Sequence, residues 1–232
     1  MLFGSPGSGK GTQAKLLRKC LKAPHISTGD MLREHIEAAD AIGRETEGLL
    51  KSGKLVPDEF VNDLLEKRLA ELDCRSGVIL DGYPRTLKQA GVLLEFMPRF
   101  GLRPGVVHLI VDREKIVARL SGRRQCPVCG TLYNLNTNPP KVDEVCDLDG
   151  ATLVTREDDR ESVIRQRLQE YESQTRPILD YFREAGVPMF EIAGIGDPQQ
   201  IAKGICDALK SAGLIQASSG KEVKAPRASV TS

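Results

Sequence analysis

The stretch Gly4-Ser5-Pro6-Gly7-Ser8-Gly9-Lys10-Gly11-Thr12 follows a short apolar run and opens a helical pattern. Its Gly4-x4-Gly9-Lys10 spacing is that of a P-loop. Glycines let successive backbone N–H groups turn toward one centre. The helix N-terminus adds positive potential there, and Lys10 reaches the outer phosphates of a nucleotide. The alternative is a strand-to-helix turn that binds nothing. A P-loop demands a buried strand before it and a packed helix after it, which means an α/β fold. Gly11 separates Lys10 from Thr12, where the usual pattern has a hydroxyl next to the lysine. Mg2+ is therefore expected to be held mainly through phosphates and water.

The rest of the chain fits that demand. Apolar runs at Met1–Phe3, Val78–Leu80, Val106–Val111 and Met189–Ile192, with His25–Ile26 as a further candidate, read as strands of a parallel sheet. Helical patterns at Thr12–Leu21, Asp58–Leu72, Thr86–Met97, Arg113–Leu120, Arg160–Ala185 and Pro198–Ser211 alternate with them. Two stretches break the alternation and read as insertions. Gly29–Pro57 is mostly helical, while Gly122–Asp159 is rich in Cys, Pro, Asn and Asp, with β-like pieces at Thr131–Tyr133 and Thr152–Thr155. The segment from Gln216 has little to bury and reads as a disordered tail, 216–232. Lys+Arg 33 against Asp+Glu 32 leaves a net charge of +1, which argues against a broadly basic nucleic-acid binder. No apolar run approaches the roughly 18 residues of a membrane span, and none suits a signal peptide. A soluble cytoplasmic enzyme, most simply a monomer with no nucleic-acid or membrane partner, is expected.

Six cysteines divide into two groups. Cys20, Cys74 and Cys206 lie in helix-like stretches and read as small buried hydrophobes. Cys126-x2-Cys129 and Cys146-x2-Asp149 have the spacing of a zinc ribbon in which a carboxylate replaces the fourth thiolate. Four protein ligands leave no open position, so Zn2+ here would be structural, a staple for an insertion too small to build much core. Asp147 is a competing, less well spaced ligand. Free thiols or a Cys126–Cys129 disulfide are the alternatives. His25, His35 and His108 form no ligand pattern and read as structural.

Several longer motifs carry a family resemblance. The loop GSPGSGKGTQAKLL, then HISTGDMLR (His25–Arg33), GKLVPDE (Gly53–Glu59), LDGYPRTLKQA (Leu80–Ala90), RLSGRR (Arg119–Arg124) and TREDDRESVIRQRL (Thr155–Leu168) resemble the adenylate kinases, in order, from Met1 to about Leu214. The resemblance implies the P-loop nucleoside-monophosphate kinase fold, a five-stranded parallel sheet flanked by helices, with two inserted mobile subdomains. The implied divisions are a CORE of 1–26, 57–121 and 160–215, an AMP-binding insertion of 27–56 and a LID of 122–159 of the zinc-containing type. The implied reaction is reversible phosphoryl transfer between magnesium–ATP and AMP, giving two ADP.

By that resemblance Lys10, Arg85, Arg119, Arg123, Arg156 and Arg167 are catalytic. Gly7, Ser8, Gly9, Gly11, Thr12, Leu132, Tyr133 and Gly196 join Lys10 and Arg123 around ATP. Thr28, Arg33, Lys54, Leu55, Val56, Gly82, Tyr83, Pro84 and Gln89 join Arg85, Arg156 and Arg167 around AMP. Always-charged, bidentate arginines suit a reaction that is mostly positioning and charge neutralisation. Other arginines (Arg18, Arg68, Arg165, Arg183) read as solvated. Asp81 ends a strand at the carboxyl edge of the sheet, where it would orient magnesium-bound water or else cap the next turn. The Gln89 amide offers a donor and an acceptor together, matching adenine and favouring AMP over UMP or CMP; an exposed helical glutamine is the alternative.

Relatives carry more apolar residues before the loop than Met1, Leu2 and Phe3. Either the first strand is short, at a cost in ladder hydrogen bonds, or the chain start is misassigned. Two further functions stay open here. One is another nucleoside-monophosphate kinase, such as a GTP:AMP phosphotransferase. The other is a regulator that binds nucleotide without turnover.

Overall fold

The structure is a computed structural model and describes residues 1–215. The tail expected at 216–232 lies outside the described residues. In chain order the elements are β1 (Leu2–Phe3), α1 (Lys10–Leu21), β2 (His25–Ser27), α2 (Thr28–Glu37), α3 (Ala41–Lys51), α4 (Asp58–Leu69), β3 (Ile79–Asp81), α5 (Leu87–Arg99), β4 (Val106–Ile110), α6 (Arg113–Ser121), β5 (Arg123–Gln125), β6 (Leu132–Asn134), α7 (Glu161–Glu170), α8 (Pro177–Glu184), β7 (Met189–Ala193) and α9 (Pro198–Ser211).

Five strands form a parallel sheet in the order β2-β3-β1-β4-β7. Alternate residues of each strand supply opposite faces, as a period of two requires. Phe3, Leu80 and Val106 join Leu65, Leu93 and Phe182 on the side covered by α4, α5 and α8. Leu2, Ile79 and Val107 join Ala14, Leu17 and Ile205 on the side covered by α1 and α9. Burial on both faces explains why the central strands β1, β3 and β4 are largely apolar. β1 is short, with two residues, yet it occupies the middle of the sheet and pairs Leu2 with both Asp81 and Val107. The chain leaves β1 toward β2 on one side and later fills β4 on the other. The loop after β1 therefore opens at the switch in strand order, where open α/β sheets bind ligands.

The two insertions lie over that edge. The first is α2 and α3, each started by a side-chain cap: Ser27 Oγ accepts Asp30 N–H, and Asp40 accepts Gly43 N–H. The second begins with the antiparallel pair β5–β6, and single bridges at Gln125–Val154 and Val145–Thr152 extend it.

Three expectations need correction. The helix expected over Arg160–Ala185 is α7 and α8 separated by a π-turn at Tyr171–Thr175. Cys20 and Cys206 are not free thiols but form a disulfide between α1 and α9, their Cα atoms 6.7 Å apart. Arg68 is not merely solvated; it holds Asp73 through both terminal nitrogens at 2.8 and 2.7 Å and lies 3.0 Å from Cys74 Sγ.

Candidate active site

Gly4 and Gly7 show why the loop needs glycine. Their φ angles are 141° and 81°, and a Cβ on Gly4 would come within 2.6 Å of the Leu109 carbonyl oxygen. α1 then starts at Lys10 with no side chain capping its first N–H groups, which leaves them for a ligand. Lys10 Nζ donates to the carbonyls of Gly4 at 2.7 Å and Ser5 at 3.0 Å. Burial pulls its pKa down to about 8, against the opposing pull of Asp81. The Asp81 carboxylate stands 3.3 Å from His25 Nε2 and flanks Gly11.

A cleft of about 850 Å³ opens above this loop between the two insertions. Arg33, Arg85, Arg119, Arg123, Arg156 and Arg167 all face it, each from a different element or turn. Burial, reinforced by neighbouring guanidiniums, lowers Arg85 and Arg156 to about 10. Such a field favours a polyanion. Arg85 Nε donates to the Gly82 carbonyl at 2.8 Å, and Arg119 Nη1 reaches the Ser8 carbonyl at 3.5 Å. Lys54, Leu55, Gly82, Tyr83 and Pro84 line one side of the cleft. Leu132, Tyr133 and Gly196 lie on the other side.

Three expected contacts are not at the cleft surface. Thr28 is buried, its hydroxyl donating to the Gly82 carbonyl at 2.8 Å, and Val56 is core. Gln89 is buried too: Oε1 accepts the Arg85 N–H at 2.7 Å and Nε2 donates to Asp58 at 2.8 Å. One N–H and one lone pair of that amide remain beyond these two bonds. Gln89 therefore fixes the Arg85 backbone from behind the wall.

The reading from sequence overlooked the acidic partners. Asp158 and Asp159 sit on the short turn Glu157–Asp159, and Arg167 Nη1 lies 2.9 Å from Asp158 and 3.1 Å from Asp159. Burial works to raise Asp158, but Arg167, Arg123, Arg33 and Arg156 outweigh it and hold the carboxyl below its usual range. Thr175 in the π-turn was overlooked as well; its hydroxyl donates to the Arg85 carbonyl at 3.0 Å. The consecutive acids inside an arginine-rich motif were the available signal for the first pair. Thr175 had none. The two insertions also touch each other: Lys51 bridges Glu47 at 2.9 Å and Glu157 at 3.1 Å, and Arg156 lies 3.9 Å from Asp30.

The cysteine cluster lies in the second insertion. One ligand atom from each of Cys126, Cys129, Cys146 and Asp149 falls within 4.8 Å of the others. Cys129 and Cys146 Sγ are 3.6 Å apart, near the ~3.8 Å that a tetrahedral metal with 2.3 Å thiolate bonds requires. Backbone N–H groups of Val128 and Cys129 point at Cys126 Sγ at 3.4 Å, ready to stabilise a thiolate. Hydrogen bonds led by that from Cys129 bring Asp149 down to about 2. These donors fit a metal. Asp147, the competing ligand, lies outside this group and accepts the Lys141 N–H at 2.8 Å. Among the described residues no helix is long and apolar enough to cross a membrane.

A family model described as adenylate kinase matches residues 2–187. The chain is 46% identical over 210 residues to an adenylate kinase of Methanococcoides burtonii, covering 90% of this chain and 97% of the relative. It is 43% identical over 211 residues to one of Thermosipho africanus, covering 90% and 98%. A third, from Methanocella arvoryzae, is 41% identical over 211 residues, covering 90% and 97%.

Proposed function

The chain belongs to the adenylate kinase family, and we propose that Lys10, Arg85, Arg119, Arg123, Arg156 and Arg167 carry its phosphoryl transfer between ATP and AMP. It is a phosphotransferase. Neither a regulator without turnover nor a kinase for another nucleotide pair matches the relatives. The observation that supports the residue assignment is the convergence of these cations on one cleft above the P-loop.

The donor triphosphate rests on the N–H groups of the loop and of the first turn of α1, and Lys10 exchanges its two carbonyl partners for phosphate oxygens. Arg33 and Arg85 hold the AMP phosphate. An AMP phosphate oxygen attacks the terminal phosphorus of ATP, the bond to the ADP oxygen breaks, and the arginines neutralise charge on the transferred group. Mg2+ bound with ATP would supply further charge neutralisation, and Asp81 would orient its waters. The insertions 27–56 and 122–159 close to exclude water, which would otherwise hydrolyse ATP. Adenine of AMP lies by Lys54 and Leu55, with Thr28, Val56 and the remaining Gln89 donor and acceptor behind. Zn2+ on Cys126, Cys129, Cys146 and Asp149 has a structural role.

A coupled ADP assay with each monophosphate tests the reading. ATP with AMP should turn over rapidly, and UMP, CMP or a GTP donor should be nearly inert. Comparable rates with all acceptors would remove the Gln89 assignment.

A further inference from the structure

We propose that Tyr133 is a positioning residue for the metal site: its hydroxyl donates a hydrogen bond to the Cys146 sulfur and fixes that ligand. The inference rests on the reading of Cys126, Cys129, Cys146 and Asp149 as a metal centre. The Tyr133 oxygen lies 3.5 Å from Cys146 Sγ and accepts the Asp147 backbone N–H at 2.8 Å. A phenol has a single proton to give. A metal-bound thiolate has none, so the hydrogen between oxygen and sulfur belongs to Tyr133.

The surroundings favour a strong, directed contact. Tyr133 is 6% exposed and is clustered with Cys126, Cys146 and Leu153, so water does not compete for the bond. The Asp147 N–H holds the hydroxyl from the other side, which leaves the phenol little rotational choice. The residue sits on β6 opposite Arg124 of β5, and it also lines the nucleotide cleft. Its polar end is thus committed to the metal side, and its contribution to the cleft is the ring. Partners of this kind orient a metal ligand, and losing one weakens metal binding by about 10–100-fold.

Tyr133→Phe removes one oxygen and keeps the ring. In the full chain, competition for Zn2+ against a chromophoric chelator should show binding weaker than wild type by about 10-fold or more. Equal affinity overturns the proposal. A wild type that takes up no Zn2+ defeats the metal reading instead, which separates the two failures. If the variant does not fold, the wild type carries its own reporter. The chain has no tryptophan and four tyrosines, and Tyr133 is the one between residues 122 and 159. Zn2+ added to metal-free protein should shift tyrosine absorption to longer wavelength as the hydroxyl comes to donate to a thiolate. A tyrosine spectrum unchanged by saturating Zn2+ overturns the proposal as well.

Discussion

The Asp159 carboxylate holds the Arg123 guanidinium, with Nε 2.6 Å from Oδ2 and the acid side chain wholly buried. Its other oxygen takes Arg167 at 3.1 Å. One anion thereby sets the spacing of two cleft-facing cations carried on β5 and α7.

Asp159→Asn keeps the shape and removes the charge, leaving Arg123 without its carboxylate and Arg167 with Asp158 alone. Breaking such a pair costs about 3–5 kcal/mol. The thermal midpoint should fall, and ATP should restore part of it by supplying phosphate oxygens. Calorimetry with and without ATP decides; an unchanged midpoint counts against the carboxylate as the organising group.

Lys10→Met should lower kcat by about 10²–10³ with the fold intact, because the ammonium meets charge that develops in the transition state. Stopped-assay turnover and circular dichroism are the two readouts. Near-normal turnover would refute the assignment.

The low Lys10 pKa gives a pH signature. With the folded value at about 8 and the ordinary value at 10.5, the free protein loses this proton first as pH rises. Between those values the unfolded chain binds more protons, so this group makes the free fold more stable with rising pH. Nucleotide binding does the reverse, since phosphates draw the proton back. Titration calorimetry at pH 9 in buffers of different ionisation heat should show proton uptake with an ATP analogue. The uptake should vanish at pH 6.5 and in Lys10→Met. Uptake that persists in the mutant assigns the proton elsewhere.

Cys146→Ser should lower metal content and thermal midpoint together while measurable kinase activity survives at moderate temperature, since the closed ligand set does no chemistry. Elemental analysis beside a melting curve is the check. Full metal content in the variant would exclude Cys146 as a ligand.

Labels on Thr137 and Glu37, one in each insertion, should draw together when a bisubstrate dinucleotide binds. An unchanged distance rules out closure as the means of excluding water.

The sheet was legible because its central strands are buried on both faces, so Val106–Val107 and Ile79–Leu80 stand out as apolar pairs. The π-turn was not legible. It keeps near-helical spacing, and Pro177 falls at the first turn of α8, where a missing N–H costs nothing. The P-loop and the arginines stood out through local spacing. Asp58, which engages Gln89 from 31 positions away, and the Cys20–Cys206 bond, across 186, depend on chain topology that no local pattern encodes. The proposed metal ligands lay between these cases, since two short pairs carry their own spacing.

In the proposed mechanism the bridges between the insertions, Lys51 to Glu157 and Arg156 to Asp30, make the donor and acceptor sites parties to one equilibrium. Whichever nucleotide arrives first bears part of the work of bringing the insertions together, and the second finds it done. By thermodynamic reciprocity each must tighten the other by the same factor. Ion pairs of this kind are worth about 0–1 kcal/mol each, so the synergy the two supply is at most about thirtyfold. It should fade as ionic strength rises, leaving two substrates that bind more nearly as strangers.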